Sequence, residues 1–235
     1  MRMEVRPATT REDVARCRNA IAEVYNRQYE VVFSEDHHDL EAKIEPWPHR
    51  YLMVLHQGKL AATLGLYVRN TYVERFGQVT REEFEAVLGP PGTSERYDVD
   101  RLRELTKLVV QPEYRGLALS RFALACGHAR AFCQIDAAAP HLITFCAKQS
   151  IVGHVYRSAG LHCRRVKPFP MYKVHELYRS PEDPMDSYLV VPEVDIPSRW
   201  YDLELPGEYD ATDLMEMGRA SCNHFDVRPV PRRSA

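Results

Sequence analysis

No apolar run in these 235 residues approaches the roughly 18 needed to cross a bilayer. The opening Met1-Arg2-Met3-Glu4-Val5-Arg6-Pro7 also lacks the apolar core of a secretory signal. Both absences point to a soluble, cytoplasmic protein. An excess of one charge is missing too: 31 Lys and Arg stand against 33 Asp and Glu, and a net charge of −2 gives no whole-molecule attraction to nucleic acid or an anionic membrane. Any basic docking surface must therefore be local. The six cysteines, at 17, 126, 133, 146, 163 and 222, contain no Cys-x-x-Cys pair and no regular framework. Cys126 and Cys133 are seven apart and share a helix face, as buried free thiols do. His37-His38-Asp39 has no second ligand cluster at matching spacing, so it reads as a hydrated loop and no metal is expected. Repeats and low-complexity segments are absent.

What is present is enough apolar material, 45% of the chain, for one good core with room for an appended subdomain. Glu4-Val5-Arg6 ahead of Pro7 reads as a first strand. Thr10-Arg11-Glu12-Asp13 then starts a helix whose apolar positions Val14, Cys17, Ile21, Val24 and Tyr25 recur to about Gln28. The polar stretch from Tyr29 to Arg50, with Phe33 and Pro46-Trp47-Pro48, is either a mobile lid or a long surface loop. Tyr51 to His56, a Gln57-Gly58 turn, and Lys59 to Arg69 make a hairpin. Thr80 to Leu88 reads as a short helix and Gly89 to Glu95 as loop.

Leu102 to Val110 follows as a strand that breaks at Pro112, turns through Arg115-Gly116 and continues as the helical run Leu119, Phe122, Ala123, Cys126 to about Gln134. Leu142 to Cys146 is a buried strand, Ser150 to Ala159 a helix capped by Gly160, and Leu161 to Val166 and Met171 to Tyr178 two further strands. Beyond Tyr178 prolines punctuate the chain, and Tyr188 to Val191 is the clear strand. Residues 1–179 read as one domain and 180–235 as an extension packed on it, with a disordered basic end at Arg232-Arg233.

The turn from strand into helix presents backbone N–H groups at the positive end of a helix dipole, where a phosphate is stabilised. The run Leu108-x-Val110-x-Pro112-x-x-Arg115-Gly116-x-Ala118-x-Ser120 resembles the acyl-donor loop of the GCN5-related N-acyltransferases, with Ala118 and Ser120 at two of that family's glycine positions. Val155-Tyr156-Arg157-Ser158-Ala159-Gly160-Leu161 resembles the same superfamily's late helix. The resemblance implies an α/β (α+β) fold, a mixed and mostly antiparallel central sheet flanked by helices. It also implies acyl transfer from an acyl-coenzyme A or acyl-phosphopantetheine co-substrate. The donor would lie along Val109, Val110, Gln111, Arg115, Gly116, Leu117, Ala118 and Ser120. Tyr156 matches the tyrosine that protonates the departing thiolate in many members, though packing on the sheet would equally explain an aromatic there.

Glu104-Leu105-Thr106-Lys107-Leu108 is similar to a segment of the acyl-homoserine-lactone synthases and the long-chain N-acyl amino acid synthases, a branch that often draws on acyl carrier protein. Within it Glu104 is the candidate base, or else a partner to an arginine that fixes geometry. Strand alternation places Glu104 and Thr106 on one face and Leu105 and Lys107 on the other, unless a bulge intervenes. Lys107 stands where that branch has arginine and, with Arg69 ending the hairpin strand and Tyr29 near Arg27, is implied in acceptor binding. Arg157, Arg164, Arg165 and Lys167 form either a solvated face or a docking patch for an acidic carrier protein. The resemblance thus points to an N-acyltransferase acting on a primary amine such as an amino acid. An acetyl-coenzyme A acetyltransferase and a catalytically silent acyl-coenzyme A binding module are the alternatives.

Overall fold

The computed structural model describes residues 1–29, 51–67, 102–133, 142–157, 161, 163–165, 185–190 and 203–212. The expected lid or loop before Arg50, Arg69, the helix at Thr80 to Leu88 and the strand at Met171 to Tyr178 lie outside them. The described elements are β1 (Arg2–Pro7), α1 (Arg11–Tyr29), β2 (Tyr51–His56), β3 (Lys59–Tyr67), β4 (Leu102–Val110), α2 (Leu119–Cys133), β5 (Leu142–Lys148), β6 (Arg164–Arg165), β7 (Met185–Val190) and β8 (Gly207–Asp210). A short helix α3 (Gln149–Ile151) leaves β5 and runs into a π-helical turn, Val152–Tyr156. A regular helix was the expectation for that stretch. Within the strand expected from Leu161 to Val166, Arg164–Arg165 pair with β7, and residues 162 and 166 lie outside the described ones.

The eight strands form one sheet in the order β6-β7-β5-β4-β3-β2-β1-β8, antiparallel throughout except for β4 and β5, which run parallel. The α/β architecture expected from the sequence is the one present. Residues beyond 180 supply β7, inserted between β5 and β6, and β8, which pairs with β1.

Each face of the sheet carries a helix. Alternation along β2 sends Tyr51, Met53 and Leu55 towards α1, where Val14, Cys17, Ile21 and Val24 meet them. Leu52 and Val54 point the other way, to Leu119, Phe122, Ala123 and Cys126 of α2. That double cover is why β2 is buried along five consecutive residues. Helix α2 comes close to the sheet at Gly127, where a Cβ would stand 2.3 Å from Leu64 Cδ2. Leu203, Leu205 and Ala211 join the same core, and Tyr209 sets its ring edge against Phe122 at 6.0 Å.

The start of α1 is tied down by a cap. Thr10 Oγ1 accepts the Asp13 N–H at 3.0 Å, and an Asp13 carboxylate oxygen accepts the Thr9 N–H at 3.2 Å. Asp13 also receives both Arg6 guanidinium nitrogens, at 2.7 and 2.8 Å. The Arg6 hydrogen bonds, above all, hold this carboxyl well below the ordinary carboxylate range. Because the folded value is depressed, the stability contributed by Asp13 is present above its unfolded value near 3.8 and drains away as pH falls through the folded one. Asp13→Asn is therefore expected to cost roughly 2–3 kcal/mol at neutral pH. Urea unfolding should show the gap to the parent narrowing as pH drops below 3.8.

Candidate active site

Among the described residues strands β4 and β5 are joined by three ladder pairs, Leu102 with Leu142, Arg103 with Ile143 and Glu104 with Thr144. Past those pairs β4 continues to Val110 and β5 to Lys148 without pairing to each other, so the two strands splay. On its other edge β4 stays paired with β3 as far as Val110 and Ala62. Alternate main-chain N–H and C=O groups of β4 beyond Glu104 consequently face the gap. Glu104, fully buried, stands at the apex.

The far end of β4 leads into the expected turn. Gln111 donates its N–H to Ala61 O at 2.9 Å, so this amide is turned towards β3. Pro112–Tyr114 form one 3₁₀ turn, steadied by the Tyr114 ring edge against His56 at 5.8 Å. Gly116 follows at φ 85 and Ala118 at φ 55, two left-handed positions on either side of Leu117. The N–H groups of Arg115 and Leu117 are taken up inside the turn by Pro112 O and Tyr114 O. Those of Gly116, Ala118, Leu119 and Ser120 have no main-chain acceptor among the described residues. Such alternation of backbone hand makes a concave nest of donors, here at the positive end of the 15-residue α2. Ala118 O accepts from both Arg121 and Phe122, which fixes the helix start. The Arg115 side chain and Leu117 are exposed, and a Cβ on Gly116 would meet nothing within 4 Å.

Lys107 departs from simple alternation. Gly65 pairs with Thr106 and Thr63 with Val109, so Leu64 alone opposes both Lys107 and Leu108. That is the bulge left open by the sequence, and Lys107 sits in it at φ 52. Leu105 and Leu108 both join the core beneath α2, whereas Val109 packs against α1. Lys107 is 6% exposed, and burial followed by the positive charge of Arg18 on α1 holds its ammonium down to about 7. Alternation from Leu105, which lies in the core beneath α2, gives Glu104 the face towards α1.

Tyr156 ends the π turn, buried in the core cluster that holds Leu105 and, packed against it, Leu108 and Val110. Glu104 and Tyr156 thus approach β4 from opposite faces of the sheet. By register Val109 turns its main-chain groups to β3 and Val110 turns its own to the gap, while their side chains, buried and half-buried, pack on opposite faces of the sheet. Ser120 stands half-buried in the first turn of α2, and Tyr29 is the last residue of α1. Arg157 is exposed, and Arg164 with Arg165 forms the edge strand β6.

The residue that sequence reading missed is Arg18. Its position beside Cys17, between Val14 and Ile21, put a charge within the buried stripe of an amphipathic helix, and that is the signal that could have found it. No group of three or more His, Cys, Asp or Glu able to hold a metal occurs among the described residues. No helix among them is long and apolar enough to cross a membrane.

No family model matches the sequence, and no curated protein matches it at the sequence level. Solved structures do share the fold. A chimeric spermidine N-acetyltransferase, SpeG from Vibrio cholerae and hSSAT, superposes with a TM-score of 0.50 at 15% identity, over 86% of this chain and 99% of the other. FeeM, an N-acyl amino acid synthase from uncultured soil microbes, gives a TM-score of 0.50 at 12% identity, over 86% of this chain and 95% of its own.

Proposed function

We propose, for a chain whose fold is that of the GCN5-related N-acyltransferases, that it moves an acyl group from a phosphopantetheine thioester to a primary amine by direct attack in a ternary complex. The observation that carries this is a single juxtaposition. The gap between β4 and β5 opens immediately past the buried Glu104, and the same strand leads into a nest of amides that have no main-chain acceptor among the described residues. A donor laid along the gap would set its phosphate on Gly116, Ala118, Leu119 and Ser120, with Arg115 above. Its carbonyl would be polarised by main-chain donors near Val109 and Val110.

Glu104 receives the acceptor ammonium at the apex of the gap, and Tyr156 returns a proton to the departing thiolate from the opposite face. Lys107 belongs to the acceptor side of the same strand, with Arg69 and Tyr29 as further acceptor contacts. The donor is acyl-coenzyme A or an acylated carrier protein, the latter docking on Arg157, Arg164, Arg165 and Lys167. The acceptor class is an amino acid or a similar small amine.

The test is amine-dependent thiol release from acetyl-, octanoyl- and palmitoyl-coenzyme A, followed with a thiol-reactive dye. The expected result is release that requires both amine and thioester. Preference for the longer donors supports the acyl amino acid assignment, and preference for acetyl the small-molecule acetyltransferase. Gly116→Val should raise the donor KM by about tenfold with kcat little changed, since a branched side chain at φ 85 both strains the turn and fills the nest. Donor binding with no thiol released in any pairing would identify a silent binding module instead.

A further inference from the structure

We propose that Tyr209 is a positioning residue of the donor site: from β8 its ring holds Phe122, and through Phe122 it fixes the nest of amides at the start of α2. This rests on the acyl-transfer proposal above and names what sets that site's hold on the donor's phosphate.

Register puts the ring where it can act. Strand β8 pairs Tyr209 with Met3 and Gly207 with Val5 of β1. Met3 and Val5 both lie in the core beneath α2, so Tyr209 and Gly207 share that face, and Glu208 and Asp210 take the other. The Tyr209 ring meets the Phe122 ring at 6.0 Å with the two planes 66° apart, an edge contact. Phe122 is 2% exposed, and in so tight a layer it cannot shift without moving its neighbours.

Two further contacts pin the ring. Its hydroxyl donates to the main-chain O of Glu204. Against it lies Gly207, where a Cβ would stand 2.7 Å from Glu204 O and 2.9 Å from both Cε2 and Oη of Tyr209. The φ of Gly207 is not left-handed, so the position requires glycine for this close approach rather than for backbone freedom. Leu203, Leu205 and Ala211 anchor the same segment in the core.

Phe122 carries the constraint to the nest. Its N–H donates to Ala118 O at 3.2 Å, and Ala118, at φ 55, is one of the two left-handed residues that shape the nest. Leu119, buried in the same core as Phe122, supplies one of the nest amides. A shift of Phe122 therefore moves Ala118 and Leu119 together. A displacement of about 0.5 Å is enough to spoil the convergence of several N–H groups on one phosphate.

The test separates the phosphate from the rest of the donor. Tyr209→Leu keeps an apolar side chain and removes the ring. Its KM for the acyl-coenzyme A that the wild-type chain prefers should rise about five- to tenfold, with kcat and the acceptor KM unchanged. The Kd of free coenzyme A, read by isothermal titration calorimetry, should weaken by the same factor. With the matching acyl-pantetheine, which carries no phosphate, kcat/KM should be the same in variant and wild type. Gly207→Ala changes no core side chain and crowds the ring, so it should act as Tyr209→Leu does, whereas Tyr209→Phe keeps the ring and should recover most of the affinity. A coenzyme A Kd within about twofold of wild type in both Tyr209→Leu and Gly207→Ala overturns the positioning role and leaves acyl transfer standing. So does an equal loss with acyl-pantetheine, the mark of a generally weakened fold. A wild-type chain that binds coenzyme A and releases no thiol overturns acyl transfer, and the Kd values still decide the role of Tyr209. A wild-type chain that does neither overturns both.

Discussion

Glu104→Gln should lower kcat/KM for amine-dependent thiol release by about 10²–10³-fold while leaving the unfolding midpoint unchanged or raised. The residue is fully buried, and Gln has nearly its shape, so the packing around it is kept. What disappears is a negative charge at the apex of the β4/β5 gap. A carboxylate in that position attracts the protonated form of an amine, the form that dominates for most primary amines at neutral pH. The neutral amide offers no such attraction, so the loss should appear in the acceptor KM as well as in kcat. Circular dichroism melts run beside the kinetics separate the two effects. Activity within threefold of the parent would show that the gap's chemistry does not pass through Glu104.

Lys107→Met should stabilise the protein by up to a few kcal/mol at neutral pH. The lysine's folded value, about 7, lies below its unfolded value of 10.5. Between those limits the unfolded chain binds more protons than the folded one. Stability therefore rises with pH across this window, and the burial of Lys107 weighs most heavily below it. Methionine matches the length of the stem without the amine and should erase both the slope and the penalty. Denaturant titrations at neutral and alkaline pH would read this directly: a sloping wild-type profile against a flatter variant that is more stable at the neutral end. Equal slopes would mean that Lys107 is not desolvated in the folded chain.

The sequence made some of this legible and hid the rest for physical reasons. The β2/β3 hairpin was readable because period-2 burial and the Gln57-Gly58 turn, with φ of 51 and 74, are local properties. The passage from β4 through Arg115-Gly116 into α2 was readable on the same grounds. The bulge at Lys107 was not, because it is fixed by which residues of β3 stand opposite, a property of register between distant segments.

Helix α2 shows a similar limit. Its periodic positions Leu119, Phe122, Ala123 and Cys126 marked one face, yet the whole stretch from Phe122 to Ala129 is buried. Residues 203–211 enter the same core, and nothing near α2 in the sequence announces them. The seat of β7 between β5 and β6 is likewise a tertiary fact. The strand under Glu104 and the turn at Gly116 were legible from spacing, whereas the helix expected at Tyr156 is a π turn. The electrostatic influence of Arg18 on Lys107 required the folded chain.

The three ladder pairs that join β4 to β5 make the sheet two panels on a hinge, with β8, β1, β2, β3 and β4 on one side and β5, β7 and β6 on the other. Main-chain hydrogen bonding cannot latch the panels beyond Glu104, so a molecule threaded between them takes over the work of a missing strand. A donor lying there would be a temporary member of the sheet as well as a reactant, and its departure after transfer would leave those main-chain groups facing the gap once more.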